Sequence, residues 1–323
     1  MKKKLAIWQL IEKSIQQNIE VMLLYVLGSM GSSPGRQGFF MAVNAAGEME
    51  GSLGGGIMEY KFVEMAKSKL VERNDESSMH KQIHDKSVAK NQSGMICSGE
   101  QTIFLYTIQP TDIIHIKNII KSLLGNRNGT LEISLKGFSF SEEVPGDNYT
   151  LNFSHEDNWV YREKIGYHNQ LYIIGGGHCA LAFSKLMCEM DFYIHLFDER
   201  DKLKTMLEND FVHVKQVIES YEQLSDLIPS GNNHYVVIMT FGYRTDDRAL
   251  RALLGKEFKY IGMLGSKSKI DKMFADYQQE GLLDELLNGI FTPIGIQIKS
   301  QTPEEIAISI AAEIINVKNA DLK

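Results

Sequence analysis

The segment Leu171-Tyr172-Ile173-Ile174-Gly175-Gly176-Gly177-His178-Cys179-Ala180 constrains this chain more than any other stretch. A continuous apolar run stops at three glycines, and a helical pattern over 178–190 begins at once. The Gly-x-Gly-x-x-Ala spacing gives each position a mechanical task. Gly175 permits a tight turn, Gly177 lets backbone approach a phosphate, and Ala180 lets the helix pack close to the strand. The first helical turn then offers unpaired N–H groups and a positive dipole end to an anion. A strand and helix that merely pack would use the same glycines, so context has to decide.

The context is a rhythm of strands and helices from 168 onward. Tyr193–Phe197, Val212–Val214, Tyr235–Met239 and Tyr260–Met263 read as strands, and 246–254, 266–278 and 303–318 as helices. Such alternation implies a parallel sheet covered on both faces. Asp198 ends the strand after the turn, the position from which an acid about 20 residues on accepts hydrogen bonds from ribose hydroxyls; a solvated strand end, Asp198-Glu199-Arg200, is the other reading. His178 starts the helix, at its positive dipole end, where it serves packing or hydrogen bonding, or proton transfer. The sequence thus predicts a C-terminal Rossmann-type parallel-sheet domain over 168–323 that holds an anionic, nucleotide-like cofactor at Gly175, Gly176 and Gly177.

The first half reads as a separate α/β domain over 1–160 with glycine-rich loops, and 323 residues are enough for two such cores. Residues 5–20 have helical periodicity, Val21–Leu27 reads as a buried strand, and Phe39–Val43 as a second. A helix is expected over 57–71, a strand over 101–109 and a helix over 112–124. Residues 125–158 turn polar and glycine-rich, but a strand pattern survives at Leu131, Ile133 and Leu135, which predicts a decorated connection rather than a free linker. Two loops, Gly28–Gly35 and Gly51–Gly56, follow strands and are suited to nests of backbone N–H groups, with Gly54, Gly55 and Gly56 in the second. Arg36 offers a forked contact to the same oxyanion, and Glu59 lies where a helix dipole favours a carboxylate. Two tight turns and a surface arginine are the plainer account. Cys97, between Gly94 and Gly99, is a candidate thiol ligand or nucleophile, or an inert cysteine.

Composition narrows the setting. A net charge of −7 argues against a duplex nucleic-acid footprint, and no apolar run reaches the roughly 18 residues of a membrane span. Three scattered cysteines build no disulfide scaffold, and no apolar signal core opens the sequence, so a reducing cytoplasm is expected. No Cys-x-x-Cys, His-Glu-x-x-His or Walker loop appears.

Four stretches together resemble the XdhC/CoxI family, the xanthine dehydrogenase accessory factors. They are Gly28–Arg36 with Gly38 and Met41; Gly51–Glu59; Gly175–His178 with Asp198 and Arg200; and Tyr260–Ser266 with Thr302–Glu313. They span nearly the whole chain in the family's order. The resemblance implies a protein that binds molybdenum cofactor (molybdopterin), a pterin with a phosphate or nucleotide, and helps install it in a xanthine dehydrogenase-type molybdoenzyme. It implies a non-catalytic chaperone; a homodimer is a separate expectation, which none of these stretches carries. An NAD(P)-dependent oxidoreductase with His178 as its proton-transfer residue, or a nucleotide-sensing regulator, would share the turn. The chain departs from the family at Ile57, where a cysteine is usual, and at Cys97-Ser98-Gly99 for Cys-Gly-Gly. It departs again at Thr240–Tyr243, where the turn usually contains histidine, and at Gln297 and Lys299, where an acid and a glycine are usual.

Overall fold

The computed structural model describes residues 1–83, 99–155, 157–282 and 284–320. They form two compact units, Met1–Gly166 and Tyr167–Lys323. Cys97 lies outside the described residues. No helix among them is long and apolar enough to cross a membrane.

The first unit contains α1 (Lys2–Gln16), β1 (Val21–Gly31), β2 (Phe40–Asn44), β3 (Met49–Gly51), α2 (Gly56–Glu72), β4 (Ser78–Ile83) and β5 (Gly99–Thr107). It continues with α3 (Ile113–Leu124), β6 (Gly129–Ser134), β7 (Gly137–Ser141), β8 (Tyr149–His155) and β9 (Asn158–Ile165). One antiparallel sheet has the order β3-β2-β1-β5-β4 and a second the order β7-β6-β9-β8. The apolar run in β1 is continuous because both faces of this central strand are covered. Val21, Leu23, Tyr25 and Leu27 join one core, while Met22, Leu24 and Val26 join another with Met58 and Phe62 of α2.

The stretch 125–158 is not a decorated connection. It supplies three strands of the second sheet, whose Leu131, Ile133, Phe138 and Phe140 enter the same core as α1 and β1. In β6 and β7 only alternate residues point inward and β8 is mostly exposed, so much of the stretch is polar and the composition resembles a loop.

One buried carboxylate fastens the layers of this unit. Glu163 of β9, 1% exposed, accepts from the Tyr161 hydroxyl at 2.9 Å, from Lys4 Nζ of α1 at 3.1 Å, and from the Tyr25 hydroxyl of β1. Burial, reinforced by Glu163, pushes both phenols well above their ordinary pKa, so both stay donors.

The second unit contains β10 (Asn169–Ile174), α4 (His178–Met187), β11 (Phe192–Asp198), α5 (Lys204–Leu207), β12 (Val214–Val217), α6 (Leu224–Leu227) and β13 (Gly231–Ile238). It ends with α7 (Tyr243–Leu253), β14 (Phe258–Met263), α8 (Lys267–Gln279), α9 (Asp284–Asn288) and α10 (Pro303–Asn319). The sheet is parallel throughout, in the order β12-β11-β10-β13-β14. Leu171 and Ile173 face a core with α4 and α10; Tyr172 and Ile174 face one with α7 and α8. This is the Rossmann-type architecture that the glycine turn and the alternation predict. The strand expected at 212–214 begins at Val214 instead.

Midway along β10 and β11, His195 stacks on Tyr172 with ring centroids 4.7 Å apart, and its Nε2 lies 3.0 Å from Gln170 Oε1. Burial, aided by His213 and His234, lowers its pKa to about 4. The folded state therefore disfavours the imidazolium that the unfolded chain forms below about 6.5. His195 costs no stability above that pH. As pH falls from 6.5 toward 4, stability is expected to drop, and partial exposure trims the loss to about 2 kcal/mol. Urea unfolding across this range should show the slope, and His195→Gln should flatten it; an unchanged slope in the variant would assign it elsewhere.

Candidate functional site

In a parallel sheet, ligands settle at the carboxyl ends of the strands, where loops enter helix amino termini. Gly175, Gly176, Gly177, His178, Asp198 and Arg200 all meet at that edge, at the ends of β10 and β11.

The three glycines do different work. Gly175 has φ +105°, and a Cβ there would lie 2.4 Å from the Met239 carbonyl oxygen of the neighbouring strand exit. Its N–H donates to Phe197 O at 2.8 Å. Gly176 is wedged against Met206, and its carbonyl accepts from the Thr205 hydroxyl at 2.5 Å. Gly177 is the N-cap of α4, and a Cβ there meets nothing within 4 Å. No side chain caps this helix and no acid stands in its first turn. The first two glycines hold the turn; the third leaves open space before uncapped amides. His178 is exposed at the helix start.

Asp198, the expected ribose acceptor, is engaged within the chain itself. It is fully buried, and its carboxylate accepts four hydrogen bonds. Gly176 N–H and Arg200 Nη2 reach Oδ2 at 2.7 Å each, while Arg200 Nε and its amide reach Oδ1 at 2.8 and 2.9 Å. Burial alone would raise its pKa, but the Arg200 guanidinium and the Gly176 and Arg200 amides outweigh it and hold the carboxyl below its ordinary value. Four bonds use the acceptor capacity of a carboxylate. Arg200 then extends so that its guanidinium carbon lies 5.0 Å from the centroid of the Phe241 ring.

The loop after β13 is pinned by Asp246, 1% exposed, which accepts from Thr240 N–H at 3.0 Å and Thr240 Oγ1 at 2.5 Å and pairs with Lys269. The offset of Asp198 was legible, but an arginine two residues later was the sign that this acid is spoken for. Thr205, Asp246 and Lys269 carry no such sign, because only the folded chain brings Thr205 to Gly176, and Asp246 with Lys269 to the loop after β13.

In the first unit the candidate residues form another cluster. Glu59, in the first turn of α2, accepts from Leu53 N–H at 2.7 Å, Gly55 N–H at 2.9 Å and the Ser52 hydroxyl at 2.7 Å. The nest expected to cradle an external oxyanion is thus filled by the chain's own carboxylate. Gly54, Gly55 and Gly56 all have positive φ, which side chains rarely adopt. Arg36 is exposed and donates to Gly31 O at 2.9 Å rather than toward the nest. The two loops touch backbone to backbone, since a Cβ on Gly35 would lie 1.8 Å from Leu53 O. Gln101, which no sequence motif singles out, is 1% exposed, and its Nε2 donates to Gly35 O at 2.9 Å and Leu53 O at 3.2 Å. Its one signal was a polar residue at an inward position of an apolar strand.

Burial pushes the Glu59 carboxyl up, but the Ser52, Gly55 and Leu53 donors together hold it below its ordinary value. Its stabilisation is fully present above the unfolded pKa of 4.5 and is lost as pH falls through the lower folded value. Glu59→Ala is expected to cost about 1–2 kcal/mol, because two amides lose a charged acceptor, and to open the nest to inorganic phosphate. Hydrogen exchange at residues 53–55 and a phosphate titration check this; unchanged protection would refute it.

Among the described residues no group of three or more His, Cys, Asp or Glu is placed to hold a metal ion. The sequence matches the XdhC Rossmann domain family over residues 171–314 and the XdhC and CoxI family over residues 14–79. The Escherichia coli (strain K12) protein YqeB, uncharacterized, is 24% identical over 311 residues, covering 94% of this chain and 44% of that protein. A probable xanthine dehydrogenase component of Bacillus subtilis (strain 168) is 24% identical over 172 residues, 52% of this chain and 49% of that one. The chain therefore spans about half the length of the curated relatives it matches. A crystal structure of a Bacillus halodurans xanthine dehydrogenase shares the fold, with a TM-score of 0.72 at 20% identity over 98% of this chain and 96% of that one.

Proposed function

The chain belongs to the XdhC and CoxI family, and from that premise we propose that it is an accessory protein of a xanthine dehydrogenase-type molybdoenzyme, which receives molybdenum cofactor at the Gly177 turn and passes it on. The observation that carries the reading is the open space over Gly177 before a helix start with neither cap nor acid. That chemistry fits the phosphate tail of a pterin: the amides at the start of α4 would take the anion and the exposed His178 would flank it. When bound, the group supplies the metal centre that the target enzyme uses. This chain's part is to hold, shelter and release, which needs no bond-making residue.

The first unit fits a docking role better than a second anion site. Its nest is filled by Glu59, while Met30, Ile57 and Tyr60, on the elements that carry the glycine loops, are 70%, 59% and 65% exposed. Where a family cysteine is usual, Ile57 offers an apolar contact in place of a thiol.

The test is the pterin and molybdenum content of protein purified from a host that makes the cofactor, with Gly177→Asp alongside. About one pterin per chain, absent from the variant, is the expected result. No pterin under conditions where an established carrier retains it would end the reading; hydride transfer from NAD(P)H to an added carbonyl would replace it with an oxidoreductase.

A further inference from the structure

We infer that Arg200, not Asp198, reads the ligand at this turn, and that it selects a phosphomonoester carried beside a planar heterocycle over an unphosphorylated ribose. The inference rests on the reading of the Gly177 turn as an anion site and adds what that site discriminates.

The acid that would grip a ribose diol has no acceptor left. Asp198 is 0% exposed, and Gly176 N–H together with Arg200 N–H, Nε and Nη2 occupies both of its oxygens. The same bonds fix the guanidinium plane and leave Nη1 outside the carboxylate fork. A guanidinium held in this way loses little freedom when it takes a further oxyanion.

Topology puts that group in a ligand's path. Arg200 follows β11 and Phe241 follows β13, the two strands that flank β10. Their approach to 5.0 Å therefore lies across the carboxyl end of β10, where the glycine turn opens. Phe241 is 66% exposed, so the pair offers a ring face and a cationic plane to a flat heterocycle. Asp198 is the carboxylate paired with this guanidinium, through Nε and Nη2, while Glu199 pairs with Arg248 at 2.8 Å; Nη1 is the group left to a ligand.

Two sources carry the chemistry, a 2′-phosphorylated adenosine or a pterin with a phosphate tail. Calorimetric titration of the full chain with NADP+ and NAD+ tests the first. NADP+ is expected to bind at least about tenfold tighter, the effect of one charge-assisted contact, and Arg200→Gln should erase the difference. Because that variant strands a buried carboxylate, Phe241→Ala, at an exposed position, serves as the second and should narrow the gap without unfolding the unit. Equal affinities overturn the inference and leave the anion site standing. If neither nucleotide binds and the purified protein holds pterin, loss of that pterin in Arg200→Lys supports the pterin source, and its retention overturns the inference. If neither nucleotide binds and no pterin is held, the inference and the anion site fall together.

Discussion

Gly177→Asp is expected to lower affinity at the turn at least a hundredfold while leaving the melting temperature within about 2 °C of the parent, or slightly above it. The two halves of this expectation come from different facts. The new side chain is sterically free, because a Cβ at Gly177 meets nothing within 4 Å and the backbone there is extended. Aspartate is also among the favoured N-cap residues, and this cap position is bare. Its carboxylate would bond to the first amides of α4 and occupy the anion site from within, as Glu59 already does in the other unit. An external phosphate would then face both a filled site and a like charge. Binding of pterin or NADP+ measured beside a calorimetric melt separates the effects; unaltered binding would remove the turn from the ligand's path. A collapse in melting temperature would mean that Gly177 is structural, like Gly175.

Glu163→Ala is expected to cost about 3–5 kcal/mol, as breaking a buried ion pair from one side does. The substitution leaves the Lys4 ammonium and the Tyr25 and Tyr161 hydroxyls facing a cavity that held their common acceptor. Tyr25 is 1% and Tyr161 0% exposed, so water cannot easily replace it. Glu163→Gln should be milder, because the amide oxygen still accepts from a phenol. Pairing it with Lys4→Met should recover part of the loss by removing the uncompensated charge. Denaturant unfolding monitored by Trp8 and Trp159 fluorescence, both in this core, supplies the measurement. A cost below about 1 kcal/mol for the alanine variant would mean that the network holds nothing together.

The parts of this molecule that were legible in sequence are those fixed by local chemistry. Gly175 announces itself because only glycine takes φ +105° against a neighbouring carbonyl, and the helix at 303 because Thr302 and Glu305 form a capping box with Pro303 at the first helical position. The doubly covered strands β1 and β10 read as unbroken apolar runs. What escaped reading depends on partners far along the chain. The strands β6, β7 and β9 have one wet face each and β8 is mostly exposed, so Leu131 and Ile133 were visible but the sheet was not. A carboxylate such as Glu59 or Asp198 advertises its charge, not its direction, and both turn inward to backbone amides that a free site would have shown to a ligand. Glu163 and Gln101 sit in strands whose neighbours are inward-facing hydrophobes; their partners come from as far as Lys4 and Leu53.

The single amide that joins Gly35 O to Leu53 O carries one more consequence. Loops that share a buried fastener cannot fluctuate as separate bodies, so Gly28–Gly35 and Gly51–Gly56 should open in one cooperative event with one exchange rate. A partner that grips either loop would then stiffen both, and the surface they present would respond to contact as a unit rather than as two independent flaps.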